Sequence, residues 1–208
     1  MSVEVIQSKE LQILEAAERE FLEKGYDGAR TISIAKTAGV THAMLHYYFR
    51  TKEQLFERII DKKMKEIVPL MTHLFGNSDF PLVKRIEEAV SAHFDFVVAN
   101  PDLPKFLINE VLPHQHRCEM FRAKVADVLH LFDYLQTEVD DAANRGEVEH
   151  FHVVLLFQTI LSLNILAVAM THFTENMMGG DASQFESLLA ARKAENIETI
   201  MRRIKKTQ

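Results

Sequence analysis

From His150 to Thr174 the chain reads HFHVVLLFQTILSLNILAVAMTHFT, with no Asp, Glu, Lys or Arg, although such residues make up 26% of the whole. A run of that length can cross a bilayer as a helix, or it can form a helix covered by protein on both sides. It carries His152, Gln158, Ser162, Asn164 and His172, and its flanks are weakly acidic rather than basic. Membrane spans are flanked by Lys and Arg, so we expect a buried helix and no membrane segment. HVVLLF has strand composition, but it continues without a turn signal into an apolar run too long for one strand.

Punctuation elsewhere extends the helical reading. Only seven Gly and five Pro occur in 208 residues, mostly between long periodic runs. Leu11, Leu14, Ala17, Phe21 and Leu22 follow helical spacing, with Ser8 placed to cap the start and Gly25 to end it. Thr51 and Gln54 form a capping-box pattern ahead of KEQLFERII, and Ser183 with Glu186 forms another. Pro81 and Asn100-Pro101 mark later starts, while Gly146 and Gly179-Gly180 mark stops. The expectation is an all-α chain of about nine helices. A small N-terminal bundle of three helices would occupy residues 1–51 and a larger helical body residues 52–208. The lone cysteine, Cys118, excludes an intrachain disulfide, and MSVEVIQSKE shows no secretion signal. A cytoplasmic protein is expected.

TISIAKTAGVTHAMLHYYF (residues 31–49) obeys a narrower geometric demand. Two helices that cross steeply need a small residue at the crossing, here Ala35, and a residue free to take positive φ in the turn, here Gly39. Val40 and Leu45 then pin the second helix on the first, and Thr41 caps it. This is a helix-turn-helix pattern. With Val40 and Leu45 inward, His42, Ala43, His46 and Tyr47 point outward, where such a motif meets the major groove. Imidazole and phenol groups suit base edges and phosphates, and the Ala43 methyl suits a thymine methyl. Lys52, at the start of the next helix, is within reach of phosphate. The net charge of −6 looks wrong for a nucleic-acid binder, but Arg30 to Glu66 carries eight basic and four acidic residues. A mildly basic segment therefore sits on an acidic body.

EAAEREFLEKGYDGARTISIAKTAGVTHAMLHYYFRTKEQLF resembles the DNA-binding domain of the TetR (tetracycline repressor) family of bacterial transcriptional regulators, over roughly residues 8 to 60. The resemblance rests on helix 1 ending in Gly-Tyr, then Ile-Ala-x-x-Ala-Gly-Val, Leu-x-Tyr-Tyr-Phe and Thr-Lys-Glu. It implies that His42, Ala43 and His46 face bases while Thr31, Tyr47, Tyr48 and Lys52 hold phosphates. Thr41 is grouped with them at the helix start. The family usually carries Tyr where His46 stands. The resemblance also implies a repressor that leaves a palindromic operator when a small, largely apolar ligand binds. It implies a homodimer through the last two helices, for which Leu156, Ile160, Leu163, Phe185, Leu189, Ile197 and Ile200 are the candidates. A pocket among the middle helices is assigned to Phe94, Phe106, Asn109, Glu110, Phe121, His130 and Tyr134. The partners expected are double-stranded DNA, a small-molecule effector and a second copy of the chain, with no cofactor and no metal.

Two other chemistries have partial signals in the sequence. His114, His116 and Cys118 alternate as metal ligands do in an extended segment, but no second cluster completes four ligands. Cys118 with a nearby histidine lacks an orienting group and an oxyanion site, so no enzyme is expected. A body that docks a protein partner, or senses a metal through His114, His116 and Cys118, remains the alternative to small-molecule sensing.

Overall fold

The computed structural model describes residues 3–76, 80–124, 126–177, 179 and 182–206. Among them are α1 (Val3–Gly28), α2 (Thr31–Thr37), α3 (His42–Tyr48), α4 (Lys52–Gly76), α5 (Leu82–Ala99) and α6 (Asp102–Phe106). A π-helical turn, Leu107–Val111, follows, then α7 (Gln115–Lys124), α8 (Ala126–Asn144), α9 (Val153–Ala169), α10 (Thr171–Met177) and α11 (Ala182–Ile204). The described residues hold no strand, only an isolated antiparallel bridge between Val148 and Lys205.

The elements exceed the nine expected because two stretches are broken more finely than periodicity shows. Asn100 closes α5 instead of opening a helix, its Nδ2 donating to the Phe96 carbonyl at 2.9 Å. The chain then passes through three short pieces before α8. Ser8 lies inside α1 and not at its cap, whereas Gly25 does break the helix, with φ 70 and ψ 176, before one more turn. The Ser183 side chain and Gly180 lie outside the described residues.

The chain forms two compact units, Met1–Ile67 with Lys105–Lys124, and Val68–Pro104 with Val125–Gln208. The expected boundary after residue 51 falls inside the first unit, which keeps α4 as far as Ile67 and gains residues 105–124. In that unit Ile13, Ala17, Phe21, Ile34, Leu45, Leu55, Phe56 and Ile59 are buried, so α1, α2, α3 and the start of α4 share one core.

The second unit is organised by α9. Val153, Leu156, Ile160, Asn164 and Val168 recur at helical spacing and are buried. Leu155, Leu166 and Met170, also apolar, stay exposed. One chain therefore covers one face of the uncharged run and not both. The run also breaks at Met170, and no described helix is long and apolar enough to cross a membrane.

Asn164 is fully buried and fully bonded. Its amide nitrogen donates to the Val90 carbonyl at 3.1 Å and to His93 Nδ1 at 3.0 Å. Its oxygen accepts from Asn196 Nδ2 at 2.9 Å. This chain of bonds ties α5, α9 and α11 together and requires an unprotonated Nδ1 on His93. Burial pushes the His93 imidazole down from 6.5 to about 4. Between these values the unfolded chain binds more protons than the folded one, so stability is full above the upper value and falls as pH drops toward the lower. The loss should reach about 3 kcal/mol near pH 4. Urea midpoints across this range should fall in the native protein, and His93→Gln should remove that part of the slope.

Candidate nucleic-acid interface

The DNA-facing candidates rest on a carboxylate that periodicity does not reveal. Glu20, on the inner face of α1, is only 7% exposed. Its Oε2 accepts from Lys24 Nζ at 2.8 Å and Ser33 Oγ at 3.1 Å, and its Oε1 accepts from the Arg30 amide at 3.3 Å. Arg30 is the N-cap of α2 and makes no side-chain cap of its own. Glu20 thus binds both ends of the first turn of α2 to α1. Burial works against its ionisation, but Lys24, the Arg30 amide and Ser33 together hold the carboxyl below its ordinary value.

From that anchored helix the chain turns as the sequence requires. Ala35 is buried at the crossing, Gly39 takes φ 64, and the Val40 amide donates back to the Ala35 carbonyl at 3.0 Å. Thr41 Oγ1 accepts from the Met44 amide at 3.2 Å and caps α3. Leu45 is buried while Val40 is only half-buried. The outward side then carries Thr41, His42, Ala43, His46 and Tyr47, all exposed, with Tyr47 at 78%. Tyr48 differs from its expected role as a phosphate donor. It is half-buried, with its ring edge-on to Tyr47 at 5.5 Å and its hydroxyl buried without a hydrogen-bond partner among the described residues.

The two histidines are not independent. His42 Nε2 lies 3.0 Å from Thr31 Oγ1 and 3.1 Å from His46 Nε2, and His46 Nδ1 lies 3.3 Å from the Arg50 carbonyl. A carbonyl only accepts, so His46 Nδ1 carries a hydrogen. In the neutral ring His46 Nε2 then accepts from His42 Nε2–H, which leaves His42 Nδ1 as an acceptor. The rings meet edge to face, 4.4 Å between centroids.

Charge is sorted within the basic segment. Arg58 pairs with Glu10 at 3.3 Å, and Lys62 and Lys63 both pair with Glu18 at 2.7 Å. Arg30, Lys36 and Arg50 stay exposed around the motif. Thr51 caps α4, its Oγ1 accepting from the Gln54 amide at 3.1 Å. Lys52 Nζ donates to the Asp27 carbonyl at 3.4 Å and stands 4.6 Å from the Tyr26 ring centroid.

The other candidates are dispersed. Phe106, Asn109, Glu110 and Phe121 belong to the first unit, and Phe94, His130 and Tyr134 to the second. Phe94 and Phe106 are core, Glu110 is bonded to Arg117, and Asn109, His130 and Tyr134 are exposed. Two cavities of the second unit are lined by none of them. One is a void of about 20 Å³ among Leu82, Ile86, Phe132, Phe151, Leu156 and Phe157. The other is an open groove of about 680 Å³ along α9 and α11, lined by Leu163, Leu166, Met170, Phe185, Leu188 and Leu189, among others. Of the dimer candidates, Leu163, Phe185 and Leu189 line this groove, whereas Leu156, Ile160 and Ile200 are buried in the core of one chain and Ile197 is half-buried. His116 and Cys118 lie in α7, with His114 just before it, so helical geometry replaces the extended alternation that metal binding would use. Cys118 Sγ donates to the Val111 carbonyl at 3.3 Å, and the described residues contain no cluster of three His, Cys, Asp or Glu able to hold a metal ion.

Residues 13–59 match the family model described as "Bacterial regulatory proteins, tetR family". The chain is similar to the uncharacterized HTH-type transcriptional regulator YdgC of Bacillus subtilis, 31% identical over 103 residues, which covers 47% of this chain and 53% of that one. It thus spans about half the length of that relative. It is also similar to the fatty acid metabolism regulator protein of Bacillus subtilis, 25% identical over 145 residues, 68% of this chain and 71% of that one. Among solved structures, the transcriptional regulator FadR from Bacillus subtilis in complex with stearoyl-CoA shares the fold. Its TM-score is 0.65 at 21% identity, covering 92% of this chain and 97% of that one.

Because Glu20 ties α2 to α1, Glu20→Ala should destabilise the protein by about 2 kcal/mol, the worth of charge-assisted bonds lost from a buried site. Glu20→Gln, which keeps an acceptor oxygen, should lose less. Urea unfolding followed by circular dichroism measures both; an unchanged midpoint in the alanine variant would remove Glu20 from the scaffold.

Proposed function

This chain belongs to the TetR family of bacterial regulatory proteins, the helix-turn-helix transcriptional regulators, and we propose that it is a homodimeric repressor released from a palindromic operator by a small apolar ligand. The observation that carries this reading is the outward face of α3. His42, Ala43, His46 and Tyr47 are exposed on a helix capped by Thr41, and α2, against which that helix turns, is held to α1 by Glu20. Side chains on so short and well-anchored a helix can be presented to base edges at fixed positions. Thr31 supports His42, and Arg30, Lys36, Arg50 and Lys52 supply the positive field for phosphates.

The effector site we assign is the apolar void between α5, α8 and α9, which none of the pocket residues expected from sequence lines. Phe132 and Phe157, 5.0 Å apart, form part of its wall. At about 20 Å³ it has room for one water, so a ligand must select a wider state of the second unit. The all-apolar lining suits a hydrocarbon chain, and the similarity to a fatty acid metabolism regulator makes long-chain acyl thioesters the first class to test. Two-fold pairing along the α9–α11 groove would cover Leu166, Met170 and Leu188, which one chain leaves in water. It would place two reading helices about 34–36 Å apart.

Selection of bound fragments from random DNA at one fixed salt concentration tests the operator. A palindrome enriched by the native protein and lost with Tyr47→Ala is the expected result; no enrichment, before and after refolding to strip bound ligand, would sink the reading. On the recovered operator, palmitoyl- or stearoyl-CoA should raise Kd at least about tenfold, about 1.4 kcal/mol of difference between states. An unchanged Kd removes the acyl class and leaves the DNA reading standing. The groove has its own test. Leu166→Glu with Leu188→Glu should halve the mass measured by light scattering while leaving helix content intact, and a dimer that survives both charges would not use this face.

A further inference from the structure

We infer that Arg117 is a positioning residue for DNA binding, which holds the Lys52 ammonium in place through the ring of Tyr26; this rests on the DNA-binding reading above. Residues 105–124 belong to the same compact unit as the helix-turn-helix motif, although eighty residues separate Gln115 from Ala35 in sequence. Arg117 is 8% exposed, too enclosed to meet a phosphate itself. Its Nη1 donates to the Glu110 carbonyl at 3.0 Å and to Glu110 Oε2 at 3.1 Å, which satisfies its charge locally. The flat guanidinium then lies 4.1 Å from the Tyr26 ring centroid and 5.0 Å from that of Phe56. Glu110 is seated as closely. Its carboxylate packs against Gly25, whose φ of +70 is the backbone conformation that favours glycine.

This clip fixes the ring that carries Lys52. Tyr26 stacks parallel to Phe21 at 5.9 Å and meets Phe56 edge-on at 5.1 Å. Burial and a hydrogen bond from its hydroxyl to Glu53 push the phenol up to about 12, so it stays a neutral, electron-rich ring. That ring takes the Lys52 ammonium at 4.6 Å, and the Asp27 carbonyl accepts from it. A lysine stem has four rotatable carbons, and a phosphate contact made with it normally costs their freedom. Held on Tyr26 at the first residue of α4, the ammonium is ordered before DNA arrives. Arg117 supplies a surface against which the ring cannot tilt.

The test uses the full chain and an operator fragment recovered with the native protein. Kd is measured against salt for the native protein, Arg117→Met, Lys52→Ala, their double variant, and Arg117→Met with Glu110→Gln. The last leaves no orphaned carboxylate and guards against a folding defect, which circular dichroism monitors. Arg117→Met and Lys52→Ala should each weaken binding about fivefold to tenfold and reduce the salt slope by about 0.9 per protomer, one phosphate contact. The double variant should be no weaker than either single one, because both remove the same contact. Carbon–proton spectra of the free protein provide a readout without DNA: the Lys52 ε-protons, shielded by the Tyr26 ring, should move toward free-lysine positions in Arg117→Met. Native Kd, salt slope and Lys52 shifts in a folded Arg117→Met protein would overturn the inference, as would losses that multiply in the double variant. A native protein that selects no DNA fails the DNA-binding reading itself, and the spectra alone then decide whether Arg117 orders Lys52.

Discussion

A carboxylate taken out of water costs several kcal/mol unless charge and hydrogen bonds replace its hydration. In α1 that cost is met by Lys24, the Arg30 amide and Ser33, and the arrangement decides how α2 sits against α1. α2 is seven residues long and α3 is seven. Helices that short are unstable alone, since nucleation fixes several residues before bonds accumulate. They persist here because each open end has a partner: Glu20 for α2, Thr41 for α3, and Thr51 for the α4 that follows. Ile34 and Leu45 supply the apolar surface beneath. The caps fix direction, the core supplies cohesion, and the outward side chains inherit both.

The second unit faces the opposite difficulty, apolar surface in excess. α9 has no charge to mark which side is which, so hydrophobicity alone would let it rotate or slide. Asn164 removes that freedom. Its amide can be satisfied only with Val90, His93 and Asn196 on α5 and α11, and a slip of one residue would bury it unbonded. Such a group specifies register at some cost in stability. With the register set, Leu166 and Met170 are left in water along the groove. The same constraint that orders the core therefore defines the apolar face that a second copy would cover.

What could be read from sequence follows the range of the interactions. The steep crossing at Ala35, the turn at Gly39, the Thr41 cap and the Thr51–Gln54 cap are all decided within four residues, and each stands where local pattern places it. Ser8 failed for the complementary reason: α1 gains an extra turn before it, and a Ser in helix interior looks the same in sequence as one at a cap. The Glu20 contacts to Arg30 and Ser33 span ten and thirteen residues, and those of Asn164 span 32 to 74. A buried carboxylate among Ala16, Ala17 and Phe21 is visible in α1 as a polar residue on the apolar face, a signal that could have singled out Glu20. Arg117 has no such mark, because its partners Tyr26 and Phe56 come from a distant part of the chain. The pocket and dimer candidates rest on residue type. Type cannot say how deep a residue of an apolar helix sits, so Leu156 and Leu163, two turns apart on one side of α9, look alike in sequence although only the second reaches the groove.

The histidine pair follows from the same local geometry and sets what the exposed side of α3 offers. A tyrosine at position 46 would present its hydroxyl outward as donor or acceptor alike. His46 instead spends both nitrogens inside the protein, one on the Arg50 carbonyl and one on His42. Thr31 adds a third contact to His42 from α2. The cost of freezing two imidazoles is thus met before any base is met. Of the pair's four ring nitrogens that leaves His42 Nδ1, and on the DNA-binding reading proposed above an acceptor there would match the amino groups of adenine or cytosine rather than the two acceptors of guanine. His46 thereby fixes the tautomer of its neighbour, so what His42 offers at the surface depends on a hydrogen position set one helical turn away.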